Sequence, residues 1–182
     1  MRTGTAYRRE TGPIAVSPKY RLIKDPTQVT YGQDYNRNTT GTFNRHSGGI
    51  ILSTHFVLKQ ILWDVLATGT YDVLFVSDLT NSPTVLYTVG SALSLTGAQE
   101  NTITCSPEIL LRPGYHFLSL LKSGGAVQFY DHTGVFLYVN TYLSLYNTSY
   151  NGGSSGNYSL PIKFVGYLVE AWGAVNYMPA IV

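Results

Sequence analysis

Residues 69–90, GTYDVLFVSDLTNSPTVLYTVG, decide the fold class. Apolar and aromatic side chains recur at every second position, Tyr71, Val73 and Phe75 and then Val85, Tyr87 and Val89, and a short turn at Asn81-Ser82-Pro83 separates the two runs. A period of two is that of a strand, and a helix would repeat its apolar residues every three to four positions. The same texture resumes at residues 108–125, EILLRPGYHFLSLLKSGG, where Arg112-Pro113-Gly114 marks a turn before another run. Short alternating runs separated by Gly, Pro, Asn and Ser clusters predict an all-β chain, an antiparallel β-sandwich.

Working outward, strands are expected at 50–60, 61–68, 71–78, 84–90, 102–105, 108–111, 115–122, 126–130, 135–146 and 158–172. In the first of these, Ile50, Leu52, Thr54, Phe56 and Leu58 share the face expected to be buried. In Val73-Leu74-Phe75-Val76 and Leu118-Ser119-Leu120-Leu121 apolar residues point both ways. One face of those strands must then meet the opposing sheet and the other either a neighbouring subunit or the chain's own long loops or arm.

Composition bounds the rest. The chain has 182 residues, enough for one sizeable core, with only 12% charged and fifteen tyrosines. Cys105, the single cysteine, reads as a small buried residue and excludes an intrachain disulfide. No apolar run approaches the roughly 18 residues that cross a bilayer as a helix, and the first ten residues lack the apolar centre of a signal peptide.

The charge is unevenly placed. Residues 1–48 hold eight basic residues (Arg2, Arg8, Arg9, Lys19, Arg21, Lys24, Arg37, Arg45) against three acidic ones, and residues 49–182 hold four against seven. The first segment is poor in aliphatic residues and is interrupted by Pro13, Pro18 and Pro26. It reads as an extended basic arm, 1–48, ending at Ser47-Gly48-Gly49 ahead of a β-sandwich domain, 49–182. The arm's aromatic content, Tyr7, Tyr20, Tyr31, Tyr35 and Phe43, together with its basic residues, makes it the expected partner-binding element.

Chemistry is sparse. Asp131-His132 is the one adjacent acid and imidazole, and with Thr133-Gly134 after it the pair reads as a turn. His46, His55, His116 and His132 have no metal-ligand spacing, and no nucleophile elbow, P-loop or EF-hand loop occurs. Asp64, Asp72 and Asp78 would hold a calcium ion only if the fold gathered them at one sheet end. Trp63 and Trp172 read either as a stacking platform for a sugar ring or as buried anchors. The arm's charges are scattered singly apart from Arg8-Arg9, a weak signal for nucleic acid. No catalytic residue, cofactor or metal site is assigned.

The runs TGTYDVLFVSDL, TVLYTVGSALSL and ILLRPGYHFLSLL, over roughly residues 50–146, resemble the jelly-roll and lectin-like sandwich modules of tailed-phage virion proteins. A basic, Pro-interrupted arm ahead of a sandwich is similar to capsid decoration, or cement, proteins. That resemblance implies a non-enzymatic structural protein on the virion surface, a homo-oligomer, most simply a trimer, that stabilises a capsid shell. The alternative is a receptor- or glycan-binding module of a tail fibre, with the loop 147–157 meeting a carbohydrate.

Overall fold

The computed structural model describes residues 20–33, 38–133, 139–150, 153–155 and 158–173, and every regular element among them is a strand. In chain order these are β1 (Tyr20–Gly32), β2 (Asn38–Phe43), β3 (Arg45–Leu52), β4 (His55–Val65), β5 (Gly69–Val76), β6 (Val85–Leu95), β7 (Gln99–Leu111), β8 (Gly114–Lys122), β9 (Val127–Thr133), β10 (Leu143–Tyr150), β11 (Gly153–Ser155), β12 (Tyr158–Ser159) and β13 (Ile162–Gly173). The chain divides into a body from Lys24 to Glu170 and a second unit made of both termini, 1–23 and 171–182, of which the described parts are the outer ends of β1 and β13.

Two large sheets carry the body. One runs β1-β13-β4-β7 and the other β11-β10-β3-β8-β5-β6, and a small third sheet runs β12-β9-β2. The neighbours nest in sequence. β5 pairs with β6, β4 with β7 and β3 with β8, each antiparallel, and β1 lies beside β13 outside them all. Successive pairs fall in alternate sheets, which is the connectivity of an antiparallel ribbon rolled up into a jelly roll. The segment between β8 and β13 adds β10 and β11 to one sheet and β9 and β12 to the small one.

The core lies between the two large sheets. Phe56, Leu58, Ile61 and Trp63 from β4, Ile103 and Cys105 from β7, and Ile162 and Phe164 from β13 meet Ile50 and Leu52 from β3, Tyr71 and Val73 from β5, Leu118 and Leu120 from β8, and Leu143 and Leu145 from β10. These are the alternate, inward residues of each strand, so the period of two read in the sequence is the period of burial. Ile50, Leu52, Phe56 and Leu58 are buried as expected.

Residues 50–60 are nonetheless two strands. The chain turns a corner at Ser53-Thr54 and passes from one sheet to the other. Ser53 Oγ donates to the Thr141 carbonyl at 2.7 Å and Thr54 Oγ1 to the Val169 carbonyl at 3.3 Å, holding that corner. Conversely, the runs 102–105 and 108–111 belong to one strand, β7. Pro107 is accommodated because β7 is the end strand of its sheet, and its ladder with β4 is offset between Leu58 and Gln60.

The expected boundary at residue 48 is corrected by the structure. β3 runs straight through Ser47-Gly48-Gly49, between β10 and β8, so this stretch is sheet interior and not a hinge. β1 and β2 precede it as sheet members, and Val29, Tyr31 and Phe43 pack against the core. The segment is poor in aliphatic residues because its strands add edges and aromatic cover. Residues 1–19 of the expected arm lie outside the described residues.

Candidate functional site

The outer face of the six-stranded sheet, the side away from the core, is the most distinctive surface of the body. Leu118 and Phe75 belong to the core, so their alternates Ser119, Phe117, Tyr115, Leu74 and Val76 face outward. Register then defines rows across the strands. One is Ser149, Ser47, Ser119, Leu74 and Thr88, the next is Tyr146, Gly49, Phe117, Val76 and Val85, and the third is Ser144, Ile51 and Tyr115.

The first row is covered by the chain itself from Ser149 to Leu74, while Thr88 at its end is exposed. Ser149 Oγ donates to the Leu79 carbonyl at 2.8 Å, and an Arg45 Nη1–H donates to the Asn81 carbonyl at 3.0 Å. The loop from Ser77 to Thr84 thus leaves β5 and reaches β10, three strand positions or about 14 Å away. It is itself stiffened. Asp78 accepts from the Thr80 amide at 2.8 Å and from the Ser77 and Thr80 hydroxyls, and these bonds hold its carboxyl below the usual carboxylate range. Three small serines lie beneath this crossing, and Ser47 Oγ donates to Ser119 Oγ at 2.8 Å to satisfy both buried hydroxyls. Leu74 and Val76 are buried yet stand apart from the core cluster, so the two-sided apolar character of Val73-Leu74-Phe75-Val76 is met within one chain.

In the other two rows Gly49 and Val76 are buried, and the open part is Tyr115 with the half-buried Tyr146, Phe117, Ile51 and Ser144. Tyr115 is 68% exposed and meets Tyr146 edge-to-face, with ring centroids 5.8 Å apart. The Tyr146 ring lies flat on Gly49, where any Cβ would run into it, which accounts for glycine in mid-strand. Burial, and secondarily the neighbouring Tyr115, push the Tyr146 hydroxyl pKa up. Half-buried Ile51 and Phe117 lie beside the pair, and neither row contains a charged residue. Farther along, β6 exposes Val85 (48%), Leu86 (66%) and Tyr87 (40%) at the sheet's end. The sequence signal for this face was present in the L-R-P-G-Y turn and the Gly48-Gly49 pair of β3, but which side of the sheet they served needed the register.

Of the residues expected to bind a partner through the arm, Arg2, Tyr7, Arg8, Arg9, Lys19, Tyr35 and Arg37 lie outside the described residues, and Tyr20 and Arg21 stand in β1. The other four are placed inside the fold, a correction to the arm reading. Lys24 pairs with Glu108 at 2.9 Å and lies 3.5 Å from the centroid of the Tyr167 ring. Tyr31 packs on Phe56 and Tyr142, Phe43 on the core, and Arg45 holds the 77–84 loop. Each of these four has contacts within the body.

The remaining sequence candidates separate. Asp64 is buried in β4 opposite Glu100, Asp72 accepts from Ser91 Oγ and the Ala92 amide, and Asp78 caps its loop, so the three do not form one site. Among the described residues no three His, Cys, Asp or Glu side chains gather as a metal site would require. Trp63 is fully buried and is an anchor, while the side chain of Trp172 is outside the described ones. Asp131-His132 is strand rather than turn, with Asp131 opposite Asn38 and His132 opposite Ser159 in β9's two ladders. His46 is buried against Phe129 at 5.2 Å. The pKa of His55 is held low by burial and by Arg112. Cys105 is buried, its thiol pKa pushed up to about 11 by burial and by Glu108. No protein-family model matches the chain, and no curated protein matches it in sequence.

Proposed function

We propose that the chain is a non-enzymatic structural protein of a viral particle, of the capsid-decoration kind, that docks on a protein shell and associates with copies of itself. The observation that carries this reading is the open, uncharged aromatic face formed by Tyr115, Tyr146, Ile51 and Phe117 on a rigid jelly roll. Interfaces are enriched in Tyr and Phe and depleted of charge at their centres, and a face of this composition suits a protein surface better than a polyanion. The basic residues Arg2, Arg8, Arg9 and Lys19 ahead of β1 supply a second, weaker contact, because exposed ion pairs contribute only about 0–1 kcal/mol each.

The test uses particles from which the chain is missing, mixed with purified protein and sedimented. Wild type binds saturably. Tyr115→Asp, at a position exposed enough to leave the fold intact, weakens binding at least about 30-fold, the scale of an interface hot spot. Undiminished binding by that variant removes the aromatic face from the account. Saturable binding to an oligosaccharide on a glycan array would favour the tail-fibre reading instead, and turnover of a substrate would overturn the non-enzymatic one.

A further inference from the structure

Tyr115 is the most exposed side chain of the aromatic face, and the strands around it support it on one side. It is the second residue of β8 and follows Gly114, which has a φ of 129°. Ile51 stands opposite it in β3. On the other side β5 ends at Val76, opposite Phe117, so that strand places no residue beside Tyr115. A ring 68% exposed in such a position has several orientations open to it, and fixing one of them on binding costs entropy.

Its ring contact comes from two strands away. Tyr146 belongs to β10 and Tyr115 to β8, with β3 between them, so their backbones are about 10 Å apart across the sheet. The two rings nonetheless meet, with centroids 5.8 Å apart and planes at 85°. The residue of β3 opposite Tyr146 is Gly49, and the Tyr146 ring takes the space that a Cβ would fill there, which lets it cross β3 and reach the far strand.

We infer that Tyr146 is a positioning residue for the docking proposed above, on which its role rests: laid over Gly49, its ring holds the exposed Tyr115 ring in one orientation before the partner arrives. An edge-to-face contact is directional, because the positive edge of one ring is drawn to the negative face of the other. It therefore selects an orientation, where simple burial would not. The ring does this and not the hydroxyl, so phenylalanine serves at position 146 and alanine does not. Because Tyr146 acts through Tyr115, its loss has no consequence once the Tyr115 ring is gone.

The test has two readouts on the full chain. With 3-fluorotyrosine placed at position 115, fluorine NMR reports the orientation of that ring with no partner present. In wild type the ring current of the neighbour sets the resonance apart from that of the free amino acid. Tyr146→Phe keeps it there, and Tyr146→Ala returns it toward the free value with a narrower line. Particle sedimentation reads the consequence. Tyr146→Ala weakens binding about two- to tenfold, the scale of ordering one side chain on docking. Tyr146→Phe restores it, and in a Tyr115→Ala background Tyr146→Ala weakens it no further. Where Tyr146→Ala fails to fold by circular dichroism, Gly49→Ala, which displaces the ring without deleting it, takes its place. A resonance at position 115 that ignores Tyr146→Ala, a phenylalanine that does not restore binding, or equal weakening in both backgrounds would each overturn the inference. A wild-type chain that binds no particle removes the docking reading instead, and the fluorine signal then decides by itself whether Tyr146 holds Tyr115.

Discussion

Placing a methyl group at Gly49 should destabilise the protein through one ring, and the size of the effect follows from the contact. The Cβ of Gly49→Ala would overlap the Cζ, Cε1 and Cε2 atoms of Tyr146, so the ring must swing off the strand toward solvent. Overpacking of this kind costs about 1–3 kcal/mol, and the edge-to-face contact with Tyr115, worth about 0.5–1.5 kcal/mol, is lost with it. Alanine in a strand gains back about 0.5–1 kcal/mol over glycine. The single variant should therefore lose about 0.5–4 kcal/mol, or roughly 1–16 °C in Tm for a chain of this length. A double-mutant cycle isolates the mechanism. In a Tyr146→Ala background the clash is gone, the gain from alanine remains, and Gly49→Ala should be neutral or stabilising, giving a coupling of about 1.5–4.5 kcal/mol in urea melts. Equal costs of Gly49→Ala in both backgrounds would refute the placement of the ring on β3.

Two further predictions concern the body. Asn101 bridges the β6–β7 turn, accepting from the Thr96 amide at 2.8 Å and donating to the Thr96 and Gln99 carbonyls at 2.9 and 3.0 Å, and it is nearly buried. Asn101→Ala should cost about 2–4 kcal/mol by denaturant melts, since about 1 kcal/mol attends each lost bond and the orphaned groups add desolvation. Tyr71, buried in the core with its hydroxyl donating to the Ala67 carbonyl at 2.6 Å, has its pKa pushed up to about 12 by burial. Because the folded pKa lies above the unfolded value near 10, the stabilisation is full below pH 10 and is lost as the pH rises through 12. Tyr71→Phe should flatten that part of the alkaline stability profile, and an unchanged slope between pH 10 and 12 would assign it to other groups.

Much of the architecture was legible because burial follows the period of two. Ile50, Leu52, Phe56 and Leu58 fell on the expected side, and Cys105 was correctly read as buried. The corner at Ser53-Thr54 was hidden because the apolar period continues unbroken across it, although the chain changes sheet there. Sheet membership of β1 and β2 was hidden for another reason. End strands and small-sheet strands need fewer aliphatic residues, so Tyr31 and Phe43 looked like arm aromatics when they are partial cover for the core. The open aromatic face depends on register across β10, β3 and β8, residues far apart in sequence, and local pattern carries no register information between such strands. The cover over Leu74 and Val76 likewise depends on hydrogen bonds from Ser149 and Arg45 to a loop that sequence marks only as a turn.

The proposal that this jelly roll is a particle component is tested most directly by quantifying the chain in gradient-purified particles from the cells that produce it. The account predicts that the chain migrates with the particle at a fixed integer ratio to the shell protein and that the Tyr115→Asp variant is depleted from that fraction. A chain confined to the soluble fraction, or present in no fixed ratio to the shell, would contradict it.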